Sequence, residues 1–170
     1  MVFIGNHDHR KYITLDDPTV VKTFNQITKG LTTKEEKAYA CFEWIKQNVR
    51  FQPETKSEDV WLYPAETIKR KNGDCEDHAL LLTTFLRLAG VNCWFSRYFT
   101  PFRIHAFVDV QLGGLLTNRY FWQYWDTTDT LDPFPPVIQI EKVNEKGILG
   151  LQIFNNLIPF PIPPFIEQRS

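Results

Sequence analysis

The stretch that most limits how this chain can fold is the apolar run at residues 79–89, preceded by Gly73-Asp74-Cys75 and followed by Gly90. Asp is a good helix-capping residue and Gly a helix stop, so the pattern predicts a helix from 75 to about 89. Ala79, Leu82, Leu86 and Ala89 make one stripe at helical spacing, and Leu80, Leu81, Phe85 and Leu88 cover most of the other sides. A helix apolar on most sides has no face to give to water. It must be wrapped by other elements, which predicts a central, buried helix.

The flanking sequence supplies candidates for the wrapping. Asp16-Asp17-Pro18 starts one helix, which Gly30 stops. Thr32 reads as the cap of a second, with Glu35 as its box partner. Ala38, Cys41, Phe42, Ile45 and Val49 form that helix's stripe, so Cys41 reads as a core thiol. Residues 50–61 read as irregular, Pro64 opens a short helix through Ile68, and Asn72-Gly73 reads as a turn. After Gly90 the pattern becomes aromatic and β-branched, predicting strands at 91–99, 103–110 and 119–126, with Gly113-Gly114 in the last connection. Helices followed by strands in meander order predict an α+β fold, N-terminal helices packed on an antiparallel β-sheet.

The length of 170 residues suits one domain, taken here as 1–147 with a core at about 34–129. Residues 148–170 are apolar but carry Pro159, Pro161, Pro163 and Pro164, which exclude a straightforward membrane helix. They read as an extended arm, packed on the domain or on a protein partner. A net charge of −1 gives no whole-chain attraction to nucleic acid or anionic lipid. The basic run Lys69-Arg70-Lys71 lies near Asp74, Glu76 and Asp77 and reads as a solvated turn. Three cysteines do not suggest a disulfide framework, and the N-terminus turns polar after four residues, unlike a signal peptide. A reducing, cytoplasmic location is the expectation.

Chemistry concentrates in Gly73-Asp74-Cys75-Glu76-Asp77-His78. A cysteine in the first turn of a helix meets free backbone N–H groups and the positive end of the helix dipole. Both favour thiolate, and the same N–H groups can stabilise an oxyanion. A thiolate needs a base. Alternation over 103–110 puts His105, Phe107 and Asp109 on one face, opposite the aliphatic face of Ile104, Ala106, Val108 and Val110. His105 is then available to a cleft, or is simply a hydrogen-bonded strand histidine. Asp126 ends the aromatic run Tyr120-Phe121-Trp122-Gln123-Tyr124-Trp125. It either begins the turn Asp126-Thr127-Thr128-Asp129 or reaches the imidazole and fixes its tautomer. Cys75, His105 and Asp126 would then be nucleophile, base and orienter.

In order and context these blocks resemble the transglutaminase-like superfamily, within the broader papain-like cysteine enzymes. The resemblance rests on Pro64-Ala65-Glu66-Thr67-Ile68, on Gly73-Asp74-Cys75-Glu76-Asp77-His78-Ala79-Leu80-Leu81-Leu82, on His105-Ala106-Phe107-Val108-Asp109-Val110 and on Tyr124-Trp125-Asp126. Trp44-Ile45 and Val49-Arg50-Phe51 also resemble the family's core. It implies a helix bearing Cys75 packed on an antiparallel sheet bearing His105 and Asp126. It also implies amide hydrolysis or acyl transfer through a thioester, on a protein or peptide substrate. Some members have lost activity, so a silent binding or scaffold module is the alternative. The chain shows no match to the large β-sandwich domains or calcium sites of animal transglutaminases.

The remaining candidates are weaker. Trp61, Asp77, Trp122 and Tyr124 are candidate substrate-binding residues, with Trp61 and Gln47 also considered as a second oxyanion donor. His78 is a lesser candidate, Cys93 reads as packing, and His7-Asp8-His9 as solvated. A metal set from Asp74, His78 and His105 lacks any Cys-x-x-Cys or His-Glu-x-x-His spacing, so no metal or cofactor is expected.

Overall fold

The computed structural model describes residues 8–53, 60–99, 104–113, 120–128, 139–143 and 149–153. Its helices begin where a side chain relieves the unpaired N–H groups of the first turn. Asp17 caps α1 (Pro18–Ile27) by accepting from Thr19 N and Val20 N, with Pro18 in the first turn. Thr33 caps α2 (Lys34–Asn48), one residue later than the expected Thr32, and Glu36 replaces Glu35 as box partner. The shift has a physical cause: the Glu36 carboxylate accepts from both Thr33 N, at 3.0 Å, and Thr32 N, at 3.1 Å. Pro64 opens α3 (Pro64–Arg70), which runs two residues past the expected end.

Between α3 and the next helix the chain does not make the expected Asn72-Gly73 turn. Lys71 takes the left-handed conformation instead, at φ 56°, and Asn72–Gly73 extend as β2. This pairs in parallel with β1 (Arg50–Phe51), inside the stretch read as irregular. The two-residue ladder ties the end of α2 to the backbone that enters α4 (Cys75–Leu88).

α4 is the centre of the molecule. Leu80, Leu81, Phe85 and Leu86 have no exposed surface, and Leu82 only 1%. Each fully buried side chain of this size contributes roughly 2 kcal/mol from removed apolar surface. α1, α2 and α3 pack on one side of α4, where the rings of Phe24 and Trp44 approach Phe85 at 6.2 and 6.0 Å. The sheet packs on the other side.

That sheet has the order β5-β4-β3-β6-β7, antiparallel throughout. β3 (Asn92–Phe99), β4 (Ile104–Gly113) and β5 (Tyr120–Trp125) form the expected meander, entered through Gly90 at φ 74°. β6 (Gln139–Val143) and β7 (Leu149–Ile153) extend it on the far edge of β3 and were not legible in the sequence. β6 is mostly polar and β7 contains Gly150, both poor strand signals. The boundary at 147/148 thus falls between two paired strands. Residues 154–170, the rest of the expected arm, lie outside the described residues.

The α4 side of the sheet carries Cys93 and Phe95 from β3 and Ala106, Val108 and Val110 from β4, all at most 3% exposed. Among the described residues the core is a single cluster running from Val20 to Trp125 and includes Cys41. Among the described residues no helix is long and apolar enough to cross a membrane.

Candidate active site

The N-terminus of α4 is built by two aspartates and a glycine. The Asp74 carboxylate accepts from Asp77 N, and that of Asp77 accepts from Asp74 N, giving a reciprocal box. Asp77 also accepts from Leu62 N at 2.8 Å, fastening the 60–62 segment to the helix start. Asp77 is 3% exposed, its oxygens engaged by backbone. This leaves it a role in shaping the site and no open face for a substrate. A Cβ on Gly73 would lie 2.6 Å from Asp77 Cβ and 2.8 Å from Oδ2, so only glycine lets Asp77 fold back this closely.

Cys75 is half-buried at this terminus. Its thiol donates to Glu76 Oε2 at 2.9 Å, and the Ala106 backbone N–H lies near its sulfur. Burial pushes the Cys75 thiol well above its ordinary value. The Glu76 charge and hydrogen bond push the same way, as to a lesser degree does Asp74, and the Ala106 N–H opposes them. The helix terminus was expected to lower this value. In this arrangement desolvation and a neighbouring carboxylate push the other way.

His105 lies on the non-core face of β4, as alternation requires, but is only 3% exposed. Phe107 and Asp109 on the same face are also buried, Asp109 accepting from Ser96 Oγ at 2.8 Å. The face expected to line an open cleft is therefore covered at this point. Asp126 directly follows the last ladder pair, Val108 with Trp125, so it stands level with Phe107 on the His105 face. His105 Nε2 bonds Asp126 Oδ2 at 2.6 Å, both side chains being 4% exposed.

The Asp126 carboxylate is held on both oxygens. Tyr124 OH donates to Oδ2 at 3.2 Å, while Thr128 N and Oγ1 donate to Oδ1 at 2.9 and 2.7 Å. Burial works against ionisation, but the hydrogen bond and attraction of His105, with the Thr128 N–H, outweigh it and hold Asp126 below 3.8. The two readings of Asp126, turn starter and imidazole partner, hold together, one on each oxygen. Cys75, Ala106, Asp126 and Thr127 line one narrow, closely packed crevice between α4 and the ends of β4 and β5. Cys75 and Asp126 thus border a common space. Among the described residues Sγ bonds Glu76, and not the imidazole.

The other candidates fall elsewhere. Trp61 is 5% exposed, stacked on His9 at 4.8 Å and covered by the Arg97 guanidinium at 5.2 Å from its ring centre. His9, expected in solvent, is a packing residue at 4% exposure. Gln47 is exposed on α2. Tyr124 packs on Phe107, ring centres 4.4 Å apart, and serves Asp126. Trp122 pairs with Gln111 in the ladder, and its side chain lies outside the described residues. Cys93 is buried, its thiol donating to Thr83 O at 3.8 Å. His78 is 1% exposed and shares a hydrogen bond with Thr127 Oγ1 at 2.9 Å. Sequence reasoning passed over Glu76, Thr127 and Thr128. The two threonines follow an Asp in a turn, a pattern that signals side-chain-to-backbone bonding. Nothing in the sequence signals the Glu76 contact. Among the described residues no group of three or more His, Cys, Asp or Glu could hold a metal ion.

The profile of the transglutaminase-like superfamily matches residues 21–127, well over half the chain and the span that holds all three residues. The chain belongs to the transglutaminase-like superfamily. Three solved structures share the superfamily's fold with it at low sequence identity. A candidate cysteine protease from Cytophaga hutchinsonii aligns at TM-score 0.55 and 18% identity, over 84% of this chain and 48% of its own. A candidate protease from Parabacteroides distasonis aligns at 0.53 and 15%, over 83% and 30%. Legionella pneumophila LapG aligns at 0.57 and 15%, over 85% of each. The chain thus spans about half the length of the first and under a third of the second. No curated protein sequence is similar enough to this chain to count as a match.

Proposed function

We propose that the protein is a cysteine-dependent amide hydrolase or acyltransferase acting on a protein or peptide, with Cys75 as nucleophile, His105 as base and Asp126 as orienter. The observation that carries this reading is the 2.6 Å bond between His105 Nε2 and the carboxylate of Asp126, a residue that lines the same crevice as Cys75. With Nε2 taken by Asp126, Nδ1 is the ring nitrogen that receives the Cys75 proton. Sγ then attacks the amide carbon, the C–N bond breaks, and the imidazolium returns its proton to the leaving amine. The thioester is cleaved by water, giving hydrolysis, or by a primary amine, giving transamidation. Backbone N–H groups at the start of α4 are suited to stabilise the oxyanion. Attack requires Sγ to leave Glu76, because a thiol held by a carboxylate is a poor nucleophile.

Cys75→Ala tests the proposal. It is expected to fold normally, to lose all turnover of peptide-amide and glutamine-donor substrates, and to lose labelling at position 75 by an iodoacetamide probe. Full turnover by this variant overturns the reading. One observation favours a second reading, a silent binding module: the thiol bonded to Glu76 with its acidity suppressed. That reading requires wild-type protein to form no Cys75 thioester with any acyl donor, by intact mass.

A further inference from the structure

We propose that His78 is a positioning residue, which holds Thr127 against α4 and thereby keeps the Asp126 carboxylate aligned on His105. This rests on the reading that Cys75, His105 and Asp126 act together.

The argument starts where the sheet ends. The last ladder pair of β5 is Trp125 with Val108, so residues 126–128 lie beyond the interstrand hydrogen bonds. The bonds from Thr128 to Asp126 Oδ1 are local, spanning two residues. They orient the carboxylate within its own turn and do nothing to fix that turn relative to α4. A bond that does so runs from Thr127 Oγ1 to His78 Nδ1, 2.9 Å long and spanning 49 residues. His78 is 1% exposed and Thr127 5%, so water does not compete for this bond.

His78 follows Cys75 by three residues, placing both on one side of the same helix. One rigid element therefore carries the sulfur and the anchor of the carboxylate turn. Both residues, with Asp126 and Thr127, line the same crevice. An aliphatic side chain would fill the site without the cost of burying an imidazole. What it would lack is the directional hold on Thr127. A catalytic carboxylate displaced by about 1 Å costs on the order of a hundredfold in rate, so a directional hold at this point has a functional consequence that packing alone does not supply.

The test uses the full chain carrying His78→Leu, Thr127→Val, both together, and His78→Asn, whose amide can occupy the position of Nδ1. Circular dichroism and thermal melting establish folding. The spectroscopic readout is the proton resonance between His105 Nε2 and Asp126, expected far downfield in the wild type and absent in Asp126→Asn. In His78→Leu and in Thr127→Val it should broaden or move upfield, and His78→Asn should restore it. With a turnover substrate, kcat should fall about 10- to 100-fold in each single variant, with KM nearly unchanged. The double variant should be no worse than either single one, because both remove one bond.

A folded His78→Leu with the wild-type resonance and kcat overturns the proposal, as do additive losses in the double variant. Should His78→Leu not fold, Thr127→Val, nearly isosteric, decides by the same criteria. If the wild type shows no amide turnover, the enzyme reading fails while the resonance still decides the role of His78.

Discussion

At the scale of single residues, the sulfur of Cys75 is set by competing neighbours. Its position at a helix start favours the anion, yet burial and the Glu76 carboxylate at 2.9 Å favour the neutral thiol. Of these, the carboxylate can be removed without rebuilding the core, since Glu76 is only half-buried. Glu76→Gln abolishes the charge and leaves a weaker acceptor. Alkylation of Cys75 at neutral pH should then accelerate by about three- to tenfold, as each unit by which the pKa falls multiplies the thiolate tenfold. The midpoint of its labelling profile should move to lower pH. An unchanged rate, measured by mass spectrometry of the 75-containing peptide, would show that Glu76 does not govern the sulfur. Asp126 illustrates the opposite balance. It is as enclosed as His105, yet its partners hold it ionised.

At the scale of elements, the helix start is a small structure of its own. Gly73, Asp74 and Asp77 interlock, and Asp77 reaches out to Leu62. Gly73→Ala would force its new Cβ into Asp77 Cβ at 2.6 Å. That contact is with the root of the side chain, which has little room to yield. The substitution should destabilise the protein by about 1–3 kcal/mol, seen as a lower urea midpoint. Hydrogen exchange at the Leu62 amide should rise at the same time, since its acceptor is displaced. A variant as stable as the wild type, with Leu62 still protected, would mean that the interlock relaxes freely. The capping pattern of this element was legible in the residues, down to the Asp74 cap. The ladder of β1 with β2 that braces it was not, because two-residue strands carry no periodicity.

At the scale of the whole molecule, burial of ionisable groups couples stability to pH. Cys41, inside the core between α2 and its neighbours, is pushed from 9.0 to about 12 by burial. Because its folded value is raised, its contribution is fully present below 9.0 and is lost as pH rises toward about 12, where the unfolded thiol ionises first. Denaturation midpoints should therefore fall across that alkaline window in the wild type. In Cys41→Ala the fall should be shallower, though the variant begins less stable for the volume removed. Parallel curves for the two proteins would remove Cys41 as the cause. At the acid end the sign reverses. Asp126, held below 3.8, supports the fold above that value and ceases to do so as pH falls through its lowered one.

The order of the helices, the buried central helix, the meander of β3 to β5 and the meeting of the candidates His105 and Asp126 were legible from local pattern. Helix caps, apolar stripes and strand alternation act over a few residues, so a linear reading captures them. What lay beyond it depends on side-chain conformation or on residues far apart in the chain. The Glu76 contact turns on a side-chain rotamer. The bonds of Leu62 to Asp77 and of Thr127 to His78 span 15 and 49 residues. The addition of β6 and β7 to the edge of β3 is also a matter of long-range pairing, for which neither strand's own composition argues. Whether the sulfur begins as thiol or thiolate is likewise a tertiary matter, because desolvation and the nearest charge are properties of the packed molecule.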